Sequence, residues 1–252
     1  MRLTALKIFC TTAGLFWLPV LAHGAPQWST SSISLLRGDN FVVESDVQTV
    51  VTLEHASGWG FGDLFVFADI TDYHDSSAEN GFYGEFSPRF SLGKLSGKDF
   101  SSGVVKDLLV ATTCEFGRGD VESFMVGPAM DFVLPGFDYF QVNVYQRFTE
   151  GSRPGETIQI TPVWGMSWPL AGSELLFEGF ADWNVTADKT YKKNIHINPR
   201  LRYDVGRLFG SPNRRFLAGV EYSYWRNKYG IEDSAAFTTD QSALSLMVTG
   251  QF

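Results

Sequence analysis

The 252-residue sequence is short of cysteine and of long apolar runs. Of its two cysteines, Cys10 lies in an apolar N-terminal segment, so Cys114 would be alone in the mature chain. A single cysteine excludes an intramolecular disulfide and a cysteine zinc cluster. Beyond the N-terminal segment no stretch is apolar for ~18 residues, which excludes membrane-spanning helices. The sequence therefore predicts no cofactor and no metal.

Positive charge is also scarce. The chain has 20 Lys and Arg against 28 Asp and Glu, and loss of the N-terminal segment would remove two of the basic residues and none of the acidic ones. An acidic chain does not bind nucleic acid by the electrostatic attraction of phosphates to a basic surface. We therefore expect no nucleic-acid partner.

The N-terminus predicts a secretory signal peptide. Arg2 and Lys7 place positive charge before an apolar run, and the small residue Ala22 ends that run in a cleavage pattern. The run is shorter than the ~20 residues that a spanning helix needs, which disfavours a retained anchor. We expect cleavage after Ala22, which divides the chain into a leader at 1–22 and one domain at 23–252.

What the sequence does contain is apolar and aromatic surface without long apolar segments. Aromatic residues make up 15% of the chain and charged residues only 19%, with 25 glycines. This composition is too apolar for an ordinary soluble acidic domain. A transmembrane β-barrel reconciles the two observations, because its apolar residues are spread over every second position.

Two neighbouring segments, 59–70 and 81–92, show this alternation most informatively. Successive side chains on a strand point to opposite faces. One face of segment 59–70 is aliphatic, and segment 81–92 has an apolar face as well. The opposite face combines rings with ionisable groups: Trp59, Phe61, Asp63, Phe65, Phe67 and Asp69, followed by Glu85 and Arg89. This pattern predicts a wall between lipid and a wet lumen.

The alternation continues along the chain and predicts an all-β transmembrane antiparallel barrel of about twelve strands, of the outer-membrane type. The predicted strands are 28–36, 47–57, 59–70, 81–92, 105–116, 121–133, 137–149, 156–167, 172–184, 193–206, 213–226 and 240–252. Most connections alternate between long and short, but 93–104 is long for an inner turn and 117–120 is short for an outer loop. A soluble β-sandwich also alternates, but its outward faces are charged.

One run carries a specific resemblance. Residues 85–95 contain the pattern E-x-x-P-R-F-S-x-x-K-L, which resembles a segment of the nucleoside-specific channel-forming outer-membrane proteins, the Tsx family. The aromatic run before it and Asn143-Val144-Tyr145 are similar to that family as well, and the similarity continues more weakly to Phe252. The resemblance implies a monomeric twelve-stranded barrel in the outer membrane of a Gram-negative bacterium. It also implies a narrow lumen through which nucleosides diffuse.

The chemistry of the lumen fits a nucleoside, which has a flat base and a ribose with adjacent hydroxyl groups. Aromatic faces stack on bases with roughly 1–3 kcal/mol each, and carboxylates, amides and guanidinium groups bond to hydroxyls and base edges. The candidate substrate-binding residues are Phe61, Asp63, Phe65, Phe67, Asp69, Glu85, Arg89, Asn143 and Tyr145.

Structural roles remain open for each candidate. The inward rings could fill a small barrel like a core, and Glu85 with Arg89 could form an ion pair within the lumen. Arg200, Arg202 and Asp204 fit a network that stabilises the wall better than a substrate site.

Other functions remain open for the whole barrel. It could be a less specific porin, or a receptor for phage or colicin. An outer-membrane hydrolase is the distant alternative, and we expect no enzyme: His196 is predicted inward, and no Gly-x-Ser-x-Gly elbow exists. The expected partners are nucleosides, outer-membrane lipid and the barrel-assembly machinery, which would recognise the C-terminal strand ending at Phe252.

Overall fold

The computed structural model describes residues 24–74, 79–119, 121–150 and 154–252. The predicted leader at 1–22 lies outside these ranges, so its cleavage remains a prediction. In the part of the chain that is described, no helix is long and apolar enough to cross a membrane.

The fold is a closed barrel of twelve antiparallel strands, as predicted. Each strand pairs with its neighbours in the chain, and the first pairs with the last. The predicted strand ends agree with the observed ones to within three residues. The strands are β1 Trp28–Asp39, β2 Gln48–Trp59, β3 Gly62–Tyr73, β4 Gly81–Ser91, β5 Val105–Gly117, β6 Val121–Phe132, β7 Tyr139–Thr149, β8 Gly155–Leu170, β9 Ser173–Asn184, β10 Asn194–Asp204, β11 Phe216–Arg226 and β12 Gln241–Gln251.

The barrel is apolar outside and polar inside. On β12, Leu246 is 71% exposed, whereas its neighbour Ser245 is 4% exposed. On β1, Ile33 is 48% exposed and the adjacent Ser34 is fully buried. Ser34 Oγ and Thr249 Oγ1 lie 2.9 Å apart inside the wall formed by β1 and β12. A period of two, with the polar set enclosed, is the arrangement of a barrel whose outer face meets lipid.

The connections define two ends of the barrel. The terminal end carries the start of β1 and the end of β12, and the far end carries the β1–β2 loop and the β11–β12 loop. At the terminal end, the long β4–β5 connection contains α1 (Leu92–Ser96). The side chain of Ser91 accepts a hydrogen bond from Lys94 N at the start of α1, and Gly97 ends it at φ 70°. This helix accounts for the unusual length predicted for that connection.

The β2–β3 hairpin corrects one prediction. Trp59 ends β2 and pairs with Gly62, so Gly60 and Phe61 form a two-residue turn and do not belong to β3. The ring of Phe61 stacks on Trp59 and Phe90, with centroids 6.1 and 5.6 Å apart. The placement of Trp59 and Phe61 on the lumen face was therefore wrong, because the turn interrupts the alternation from which it was inferred. At Gly62 a Cβ would lie 2.0 Å from Arg89 O, so only glycine fits.

Candidate substrate pathway through the lumen

Arg89 is the centre of an ion-pair cluster near the terminal end. Its Nε and Nη2 donate to the two carboxylate oxygens of Asp63 at 2.8 and 2.7 Å, and Nη1 donates to Asp131 at 2.8 Å. Asn143 Oδ1 lies 3.5 Å from the same Nη1. The arginine is only 5% exposed. Of the predicted site residues, the structure thus brings Asp63, Arg89 and Asn143 together.

The ion pair considered as an alternative for Glu85 and Arg89 does not form. Residues four apart on a strand are separated by about 13 Å, whereas residues directly opposite on adjacent strands are about 5 Å apart. The register of β3 and β4 sets Asp63 opposite Arg89. Glu85 instead accepts a hydrogen bond from the hydroxyl of Tyr83 at 2.6 Å.

A second cluster surrounds Arg147 on β7. Arg147 pairs with Glu115 and donates to Gln159 Oε1 and Ser123 Oγ, both at 3.1 Å. Tyr145, two residues earlier on the same face, is 5% exposed and lies 3.5 Å from Thr113 through its hydroxyl. The β5–β8 side of the lumen is therefore packed as a polar core. The sequence did not single out Arg147 or Glu115, because nothing in the alternation ranks one inward charge above another.

Arg200 on β10 forms an ion pair that crosses the lumen. Its Nε donates to Glu221 on the adjacent β11 at 2.8 Å, and its Nη1 donates to Glu54 at 2.6 Å. Glu54 lies on β2, which β11, β12 and β1 separate from β10. Arg202 pairs with Glu178 on β9. These contacts match the wall-stabilising network considered for Arg200 and Arg202.

One aromatic surface of the lumen lies on β3 and β4. The Phe65 and Phe67 rings are 5.8 Å apart, and Phe67 is 5.6 Å from Tyr83. Phe65 shares the inward face with Asp63 and Asp69 by alternation along β3, and 37% of its surface is exposed. We call the three rings Phe65, Phe67 and Tyr83 the β3–β4 ring cluster. It presents apolar surface to the lumen.

A second aromatic surface lies on β9, β10, β11 and the loop after β11, and alternation alone did not reveal it as a unit. His196 and Trp225 are stacked, with centroids 4.0 Å apart and planes 8° from parallel, and Phe180 meets His196 edge-on at 5.2 Å. Tyr229 packs against Trp225 at 5.5 Å. Alternation predicts these strand residues inward, but only the register that sets His196 opposite Trp225 reveals the stack. These four residues are the β9–β11 ring stack.

Two loops at the far end are joined by hydrogen bonds. Lys228, in the β11–β12 loop, donates to Glu44 Oε2 and Gln241 Oε1, each at 2.8 Å, and to Val42 O at 3.0 Å. Burial lowers the pKa of Lys228, although the Glu44 carboxylate acts in the opposite direction. The pair joins the β1–β2 loop to the β11–β12 loop.

Tyr191 covers the far end from the β9–β10 loop. Its ring lies 5.9 Å from the Arg147 guanidinium carbon, and a Cβ at Gly230 would meet it at 2.7 Å. The loop is fixed by Asp188, which accepts backbone hydrogen bonds from Thr190, Tyr191 and Glu156. Partial burial raises the pKa of Asp188, but these bonds outweigh it and hold that pKa below its usual value.

Comparison with known proteins agrees with this architecture. The sequence profile of a family described as "Nucleoside-specific channel-forming protein, Tsx" matches residues 27–252. Outer membrane protein OmpK of Vibrio parahaemolyticus is 25% identical over 192 residues, which cover 72% of this chain and 70% of OmpK. OmpK of the serotype O3:K6 strain is 25% identical over 217 residues, covering 79% of each chain.

Among solved structures, the NanC porin superposes with a TM-score of 0.52 at 9% sequence identity. The match covers 86% of this chain and 98% of NanC. At that identity the likeness concerns the fold alone. Together with the family match, it identifies the barrel as an outer-membrane porin fold.

Proposed function

This chain belongs to the Tsx family of nucleoside-specific channel-forming proteins, and on that premise we propose that nucleosides are the solutes that it carries. The protein is an outer-membrane channel. Family membership alone does not select a substrate for a chain 25% identical to its curated relatives. A preference for nucleosides must therefore come from the side chains of the lumen.

The observation that carries the proposal is the exposed ring of Phe65. A phenylalanine that is 37% exposed inside a barrel leaves apolar surface in contact with water unless a solute covers it. The face of a nucleobase is flat and stacks on an aromatic ring with roughly 1–3 kcal/mol, whichever base it is. An inorganic ion gains nothing comparable from such a ring at this position.

Hydrogen-bonding groups lie beside Phe67, the neighbour of that ring. Glu85 is opposite Phe67 in the β3–β4 register, and Asp69 is two residues beyond Phe67 on the same face. A carboxylate accepts hydrogen bonds from the two adjacent hydroxyls of a ribose. In this proposal the base stacks at Phe65 while Asp69 or Glu85 binds the sugar.

The β9–β11 ring stack supplies a second place where a base can rest. Its rings occupy strands on a different part of the barrel wall from β3 and β4, so they extend the apolar track around the lumen. Several weak sites suit a channel, because a solute must leave as readily as it enters. Asp63, Arg89, Asn143 and Tyr145 have a smaller part in this proposal, because they are engaged with one another or buried.

The decisive measurement is the block of single-channel current by added nucleoside. We expect adenosine to interrupt the current through the purified protein in a planar bilayer, and a sugar of similar size to leave it unchanged. Liposomes containing the protein should admit nucleosides faster than such a sugar. Equal rates for both solutes, together with an unblocked current, would indicate the less specific porin.

We also propose that the protein folds as a monomer and enters the membrane through recognition of its last strand. On β12, Leu244, Leu246 and Val248 are exposed in alternation with buried residues, and Phe252 follows at the terminus. Deletion of Phe252 should reduce the amount of folded protein in the outer membrane without altering the conductance of the molecules that do assemble. Cross-linking in detergent should yield a single subunit.

A further inference from the structure

Carboxylates outnumber guanidinium groups in the lumen, so some carboxylates have a cationic partner and others do not. Four guanidinium groups point inward from the strands, and each is bound to at least one carboxylate. Arg89 and Arg200 each have two such partners, so their clusters keep an excess of negative charge. Arg147 and Arg202 are matched by Glu115 and Glu178. No guanidinium in these clusters is left over to balance further carboxylates.

Among the other carboxylates that face the lumen, three are held by neutral donors. Thr52 donates to Asp69 at 2.6 Å, and the Tyr83 hydroxyl donates to Glu85 at 2.6 Å. Thr161 and Gln159 donate to Asp182 at 2.6 and 2.9 Å. Over the ranges that the structure describes, none of the three forms an ion pair.

These carboxylates come from two parts of the barrel wall, the adjacent strands β3 and β4 and the strand β9. Asp69 lies on β3, Glu85 on β4 and Asp182 on β9. Lys228, a buried lysine at the far end, is paired with Glu44 and does not compensate them. Their effect is therefore a negative field along the pathway, not a site that holds one ion.

We infer that the channel is cation-selective, with Asp69, Glu85 and Asp182 as the residues that set the selectivity. Acidic side chains that line a narrow pore concentrate cations and exclude anions, and low-dielectric walls strengthen that field. Neutral solutes pass without this penalty, whereas an anion is opposed along the whole lumen. The inference rests on the channel assignment and is independent of nucleoside preference.

The test is the reversal potential of the channel in a planar bilayer with a KCl gradient at alkaline pH, where all three carboxylates are ionised. The wild type should be several times more permeable to K⁺ than to Cl⁻. Asp69→Asn, Glu85→Gln and Asp182→Asn should each lower that ratio, and the triple variant should bring it close to one. Asp72→Asn is the matched control, because Asp72 lies outside the lumen with its side chain 57% exposed, beside His74. It should leave the ratio unchanged.

A wild-type ratio at or below one would overturn the inference, and so would a folded triple variant that keeps the wild-type ratio. Folding is checked by the shift in gel mobility on heating. If the triple variant does not assemble, the single variants decide, because each must lower the ratio.

Nucleoside block is recorded on the same wild-type channels. A cation-selective current without nucleoside block would support this inference and overturn the nucleoside proposal. A current that nucleosides block but that shows no cation selectivity would overturn this inference and support the nucleoside proposal.

Discussion

The lumen faces of β3 and β7 carry the same kind of sequence and form opposite kinds of surface. Both alternate aromatic with polar residues, and both contributed candidates for substrate binding. On β3, Phe65 is 37% exposed and Asp69 is held by one threonine. On β7, Asn143 and Tyr145 are each 5% exposed and Arg147 is 8% exposed, tied to groups on β5, β6 and β8.

The difference shows that pointing inward does not make a residue available to a solute. In a narrow barrel, inward side chains either fill the interior by packing on one another or leave room for a solute. The β7 face belongs to the first kind because Arg147 gathers partners from three other strands. The β3 face belongs to the second because its rings pack mainly on one another. We therefore expect substitutions on β7 to affect folding and substitutions on β3 to affect transport.

The largest effect is expected for Arg147→Ala. Removal of the guanidinium leaves Glu115 buried without its cation, which costs about 3–5 kcal/mol in buried pairs. The free energy of unfolding in urea, followed by the heat-dependent gel shift, should fall accordingly. Arg37→Ala is the control, because Arg37 bonds to Thr49 and His74 at an exposed position. A variant with unchanged stability but weakened nucleoside block would place β7 among the transport surfaces instead.

An intermediate effect is expected for Phe65→Ala combined with Phe67→Ala. Loss of one stacking contact of roughly 1–3 kcal/mol should weaken nucleoside block by about tenfold. The matched control replaces Phe82 and Phe116, a ring pair 6.0 Å apart in which each residue is 40% exposed and faces outward. Block should be normal in that control. If the Phe65 and Phe67 variant failed to assemble while the control assembled, the two rings would be core, like β7.

The smallest effect is expected for Phe61→Ala. Its ring packs with Trp59 and Phe90 at the β2–β3 turn, and such aromatic contacts contribute roughly 1 kcal/mol. The free energy of unfolding should fall by about that amount, and nucleoside block should not change. Weakened block in this variant would show that the turn, and not only the strand, contributes to the transport surface.

Most of the fold could be predicted because alternation is a local property. Each strand repeats every two residues, so its existence and its two faces are readable from a few residues. The prediction failed where the period broke: at Gly60 and Phe61 the chain turns, so Trp59 and Phe61 do not share the lumen face of β3. The glycine at Gly62 was a signal for that turn, since a side chain there would collide with Arg89 O.

The site was less predictable because its partners come from different strands. The pairing of Arg89 with Asp63 follows from register, and the bridge from Arg200 to Glu54 follows from closure of the barrel. Neither can be read from the spacing along one strand. The stack of His196 on Trp225 was missed for the same reason.

The sequence by itself determined that this chain forms a barrel with an apolar outside and a polar inside, because that division depends only on which residues alternate. The tertiary structure decided which inward groups satisfy one another and which remain open to a solute. That choice depends on the register of neighbouring strands and on how closely the closed wall brings distant strands together. The sequence places both Phe65 and Arg147 inward, but only Arg147 is buried by contacts with its neighbours.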